Sequence, residues 1–352
     1  MNVVVVAGTA KGAFVYRSDA RRERWSIEGP LFKGWKVTAV AQGVAGDHLL
    51  ATASDVYGPA LHRSVDGLRT WQQVEAPPRY ADGSARKLTQ IWRFARSRQR
   101  LIAGVDEAAL FTSDDAGDTW QLVEALAQHP TRDSWFPGNG GLCAHAILTD
   151  QEHPERWWCG ISAVGVFRTD DGGRSWQPKN VGVPVIIEDK VHKDIGYCVH
   201  ALVQDPGDPR TIYRQDHKGM FRTRDGGDHW ERIERGLPSG FGFPLAMHAN
   251  SRTLFAVPLE SDEYRIPVDG KFRVYASRDG GDSWQASRAG LPDHAFMGVL
   301  RSAMDVDQLD PGGVYVGSTA GSMHCSIDGG DTWSALPGML PRVLTVAVFT
   351  LV

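Results

Sequence analysis

Seven of the 12 tryptophans in this chain close one recurring phrase, and its spacing constrains the fold more than any other feature. The phrase is clearest as Ser113-Asp114-Asp115-Ala116-Gly117-Asp118-Thr119-Trp120. It returns at residues 169–176, 223–230, 277–284 and 326–333. An earlier copy, 64–71, keeps Asp66 but has Leu68 where the others have Gly, and the first, 18–25, keeps only Ser18 and Trp25. The closing tryptophans are 46, 49, 56, 54, 54 and 49 residues apart. A period near 50 marks an array of supersecondary units, each unable to bury its apolar face alone.

Each phrase follows a short apolar run such as Leu110-Phe111 or Val166-Phe167, which reads as a strand entering a turn. The carboxylates of Asp66, Asp115, Asp171, Asp225, Asp279 and Asp328 are placed to cap turn N–H groups. Gly permits the positive φ of a tight loop, the Ser or Thr hydroxyl adds a local bond, and Trp anchors the loop in an apolar layer. This is turn chemistry and not catalysis. The phrases resemble the Asp-boxes (BNR repeats) of sialidase-like and sortilin-like β-propellers, and the resemblance covers essentially the whole chain. Residues 141–145, 241–244 and 258–263 are similar to single-propeller bacterial proteins labelled sialidase-like or glycosyl-hydrolase-like. The photosystem II assembly propeller is a second relative by architecture, which implies a thylakoid setting. Xyloglucan-cleaving relatives use two propellers with a cleft between them.

The resemblance implies an all-β, seven-bladed β-propeller of four-stranded antiparallel blades forming one domain over residues 1–352. Length alone suggests two domains, a soft prior that the repeat overrides. The chain opens on an apolar run at 3–8 that reads as a second strand and ends on an orphan first strand at 343–349. Pairing the two closes the ring and removes two exposed sheet edges. Six blades is the rival count, if the first phrase is not a unit.

Charge and hydropathy exclude several classes. At 42% hydrophobic and 23% charged the chain is not disordered. A net charge of −4 supplies no positive field for nucleic acid or an anionic membrane. No apolar run reaches the length of a membrane helix. Met1-Asn2 leads straight into Val3-Val4-Val5-Val6 without a basic region, and Cys143, Cys159, Cys198 and Cys325 are dispersed. Both features point to a reduced, cytoplasmic protein.

In four-stranded blades the phrase turns share one face, the bottom, while connections between blades and second-to-third hairpins share the top. All the long insertions fall on the top, so a ligand site is expected at that mouth of the channel. Cys143-Ala144-His145 and Cys198-Val199-His200 begin the innermost strands of adjacent units, and His217 lies in the next top hairpin. Cys143, His145, Cys198 and His200 could hold a divalent transition metal such as zinc, or pack as duplicated core strands. His145, His200 and His217 are equally candidates for a polar ligand pocket, joined by Trp135, Arg132, Tyr57 and Arg265.

Glu188, Asp189 and Glu260 are the leading carboxylates for glycoside chemistry, with Asp262 and Glu263 beside them. Arg265-Ile266-Pro267 matches a sialidase signature, but it follows five phrases instead of preceding the first, and sialidase activity is rejected. There is no phosphate loop of the GxxxxGK type. Three readings follow. The first is a binding or scaffold propeller for a small polar ligand, a carbohydrate or a protein partner. The second is a glycoside hydrolase-like enzyme, and the third a metal-dependent enzyme.

Overall fold

The second strands of the units are apolar at nearly every position, so both of their faces must be covered. Val3, Val4, Val5, Val6 and Ala7 are all buried, as are Trp157, Trp158 and Cys159. Alternation would mark a sheet with one wet face; continuous burial marks sheets stacked on both sides. The computed structural model describes Met1 to Leu351 and meets this demand with almost no helix. The described helical turns are Glu124–Ala127, Arg132–Ser134 and Val268–Gly270. No helix among the described residues is long and apolar enough to cross a membrane.

Five four-stranded antiparallel sheets follow one another at 36–73, 90–122, 144–178, 201–232 and 242–286. An eight-stranded sheet carries both ends of the chain. Val343–Leu351 pairs antiparallel with Asn2–Thr9, placing Asn2 opposite Leu351 and Val5 opposite Val348. The expected closing strand is thus in place. One parallel bridge, Ser302 to Thr345, joins this half to the strands of residues 299–335. The first strand of each unit touches the first strand of the next, and the circuit closes through Val343–Leu351. This arrangement is a β-propeller. Most fourth strands are only two residues long, as with Gln121–Leu122 after Trp120, while Ser26–Leu31 has six.

The core consists of layers between sheets. Ile102 and Leu110 of one sheet pack with Ile147, Trp157 and Phe167 of the next. Trp158, on the opposite face of the same strand, packs with Val199, Ile212 and Phe221 of the sheet after that. The Trp157-Trp158 pair therefore belongs to two neighbouring layers.

The turn chemistry is as read. Thr169 Oγ1 donates to Asp171 Oδ1 at 2.7 Å and accepts from Gly173 N at 2.9 Å. The same carboxylate accepts from Ser175 N and Ser175 Oγ at 2.9 and 2.6 Å. Asp66, Asp115, Asp225, Asp279 and Asp328 make the equivalent bonds. The hydroxyl and amide of Thr119 hold the Asp115 carboxyl down at about 2. Departures from the phrase keep the geometry. Leu68 adopts a φ of 68° in the place of Gly and is buried. In the first copy Arg22 takes that place with a φ of 58°, and Trp25 Nε1 still donates to the Arg22 carbonyl at 3.0 Å. That bond matches those from Trp120 to Gly117 and from Trp333 to Gly330.

Because the Thr169 hydroxyl is buried and makes three hydrogen bonds, Thr169→Val leaves the Gly173 N–H without a partner. The expected cost is about 1–3 kcal/mol, read as a lower urea midpoint, with Thr169→Ser restoring it.

Candidate functional site

One local irregularity recurs on the innermost strands and sets what faces the channel. Pairing slips by one residue between Val37 and Ala39, between Ile91 and Arg93, and between Ala144 and Ala146. The extra residues are Thr38, Trp92 and His145. At the matching place in the next unit, His200 N donates to the Gln215 carbonyl just ahead of the Ala201–Gln215 pair. In the sheet holding Val299–Val306 the slip is longer and contains Arg301. A bulge breaks the two-residue alternation and re-aims a side chain. Here it turns Trp92, His145, His200 and Arg301 into a central cavity of about 450 Å³.

The polar atoms of that cavity are poorly satisfied. Trp92 Nε1, both ring nitrogens of His145 and Arg301 Nε are buried without a hydrogen-bond partner. Buried polar groups normally find partners, so a cluster of orphans lining one cavity makes it the candidate site. Burial, reinforced by the Arg301 charge, pushes His145 well below the ordinary histidine range, so its ring is neutral. Arg301 and Arg265 lie over Phe243 at 5.3 and 5.6 Å. Beside Trp92, burial lifts the half-buried Asp106 carboxyl to about 6.

Next to this pocket, Cys198, His200 and His217 converge, their ligand atoms all within 4.8 Å of one another. Three residues of the strand before His217 and of its hairpin hold the arrangement. Arg214, fully buried, donates to the Cys198 carbonyl at 2.6 Å and pairs with Asp216 at 3.2 Å. Asp216 accepts from the amides of Lys218 and Gly219, which shapes the turn carrying His217. Gln215 ties that turn to Gly240 at 2.8 Å.

Cys143 and His145 do not complete the four-residue set drawn from sequence. Cys143 Sγ faces the carbonyls of Gly140 and Gly141 at 3.9 and 3.7 Å. The hairpin of that unit, Ser162-Ala163-Val164, carries no histidine, whereas the hairpin one unit later carries His217. The duplicated strand lacks the third group.

The other candidates are spread more widely. Trp135 is buried, donates to Thr131 Oγ1 at 2.8 Å and carries Arg132 on its ring, while Arg132 pairs with Glu107 at 2.6 Å. Both are taken up in the fold. Asp189 accepts from the amides of Val191 and His192, a local turn. Glu188 and Glu260 are exposed. Tyr57 is exposed and stacked on Trp35 with centroids 5.8 Å apart. Arg265 Nε donates to the Asp262 carbonyl at 3.0 Å. Sequence reasoning picked out neither Arg301 nor Trp92, because alternation cannot reveal a bulge.

Comparison with known proteins adds to the fold. No family model matches the chain. A xyloglucanase from Paenibacillus sp is 24% identical over 237 residues, which is 61% of this chain and 19% of that protein. The chain therefore spans about a fifth of the curated relative it matches. The solved structure of an ancestral GH74 enzyme superposes with a TM-score of 0.58 at 17% identity, covering 85% of this chain and 38% of that one. YCF48 from Cyanidioschyzon merolae gives 0.55 at 12% identity, covering 88% and 87%. These similarities show a β-propeller fold.

Groups held for ligand and groups held for structure should separate in a melt. Arg301→Met removes an unsatisfied guanidinium nitrogen from the pocket and is expected to leave thermal stability unchanged or raised. Arg214→Met strands the buried Asp216 carboxylate and is expected to cost about 3–5 kcal/mol.

Proposed function

We propose that residues 1–352 form a single seven-bladed Asp-box propeller that binds a small, acceptor-rich polar ligand at the top mouth of its channel. The seven-blade count is supported by seven tryptophan phrases and by five separate four-stranded sheets. The eight-stranded sheet adds two more blades when divided at its single parallel bridge. A cytoplasmic setting accords with four buried, free cysteines.

The observation that carries the binding reading is the set of orphaned polar atoms on Trp92, His145 and Arg301 lining one cavity. Indole and guanidinium nitrogens only donate, so the complementary ligand presents acceptors, and a carboxylate fits the planar guanidinium. Carbohydrate is the favoured carrier of that group. The xyloglucanase and the GH74 enzyme act on glycosides, and the exposed Trp35–Tyr57 stack offers a flat face at the rim. Titration calorimetry with glucuronate and glucose tests this reading. Glucuronate is expected to bind, and Arg301→Met and His145→Ala each to weaken it about tenfold or more. Absence of binding by either sugar, or binding indifferent to Arg301→Met, contradicts it.

Asp106 favours a second reading, glycoside hydrolysis. A carboxyl lifted to about 6 is suited to general acid work near neutral pH. Its counterpart would be Asp262, beside His217. Turnover of xyloglucan oligosaccharides that falls about a hundredfold in Asp106→Asn, with binding retained, supports hydrolysis. No turnover by the wild type leaves the binding reading alone.

A further inference from the structure

We infer that Cys198, His200 and His217 form a zinc site, independent of what the channel binds. Three donor atoms of the right chemistry already meet: Cys198 Sγ lies 2.9 Å from His217 Nδ1, which lies 3.0 Å from His200 Nε2. A thiolate and two imidazoles are a ligand set for a borderline-soft dication, and three protein ligands leave a fourth tetrahedral position.

The outer partners of both rings point to the same conclusion. His200 Nδ1 is 2.6 Å from the Gly242 carbonyl and must donate its proton there, so Nε2 turns a lone pair toward the cluster. His217 Nε2 faces the Asp262 carboxylate at 3.5 Å, which favours a proton on that nitrogen. Its Nδ1 then also carries a lone pair, facing that of His200. Moving the proton to Nδ1 relieves this clash but sets the Nε2 lone pair against a carboxylate. No neutral tautomer suits both the His200 and the Asp262 contact, whereas a metal cation between Nε2 and Nδ1 suits both with the two rings neutral. Ligating histidines that pass their other N–H to a carbonyl or a carboxylate are the usual outer shell of a zinc centre.

The frame is rigid and the surroundings fit. Arg214 and Gln215 fix the Cys198 carbonyl and the His217 hairpin, as described above. Phe241 packs against both imidazoles, with centroids 5.5 and 5.3 Å away. Arg301 and Arg265 bring positive charge to the same region, which Asp262 offsets in part and the Cys198 thiolate formed on metal binding would offset further. Binding transfers the thiol proton of Cys198 to solvent as the sulfur–metal bond forms. His200 also lines the channel cavity, so the cluster borders the ligand pocket.

The test uses full-length protein stripped with EDTA, dialysed, and titrated with Zn²⁺ by calorimetry and with Co²⁺ by absorption. One Zn²⁺ per chain, a raised melting temperature and a sulfur-to-cobalt charge-transfer band are expected. Cys198→Ser should abolish the band, His217→Ala should weaken Zn²⁺ binding about a hundredfold, and Asp262→Asn should weaken it about tenfold. His217 lies on a hairpin and is the variant least able to disturb the core. Cys143→Ser is expected to change nothing. Failure of the wild type to bind one Zn²⁺, or wild-type affinity in both Cys198→Ser and His217→Ala, overturns the site.

Discussion

The antiparallel pairing of Val343–Leu351 with Asn2–Thr9 is the interaction on which the rest of the molecule depends. Every other unit obtains its inner strand locally, from residues adjacent in sequence. This unit alone must recruit its inner strand from the far end of the chain. Without that pairing, Asn2–Thr9 and the neighbouring inner strands would present open edges, and the channel would have no continuous wall. The residues that meet in the channel come from different units, so their convergence exists only once the circuit is closed.

Within that ring the two faces divide the labour. The phrase turns are built from short local hydrogen bonds that recur with little change, which frees the opposite face to vary. There the inner strands bulge and the hairpins differ in length and content. A histidine in one hairpin and none in the previous one separate the converging Cys198, His200 and His217 from the unmatched Cys143 and His145. On a repeated frame a few substitutions change which groups converge, which is why likeness of fold alone does not transfer an activity.

Much of the architecture was legible in the sequence, because turn chemistry is local. The tryptophan phrases gave the period and the ends of the chain announced their own pairing. Even Leu68 and Arg22, which break the phrase, occupy the glycine position with positive φ. The site was legible only in part. Cys198, His200 and His217 could be proposed together because Cys-x-His and the following hairpin are close in the chain. Arg301 and Trp92 could not, since a strand read by alternation sends them to the wrong face and only a bulge brings them to the channel. Trp135 and Arg132 lie in a long top connection, where exposure was expected, yet the connection folds Trp135 against Phe167 and closes over it.

The most direct measurement is the indole ¹⁵N–¹H spectrum, with the Trp92 signal assigned through Trp92→Phe and followed as glucuronate is added. A ligand seated among the orphaned donors moves the Trp92 signal saturably. The signals of Trp120, Trp176 and Trp333, whose indole N–H groups already bind turn carbonyls, stay in place. A Trp92 signal that does not move, or movement confined to Trp35 at the rim, contradicts a binding site in the channel mouth.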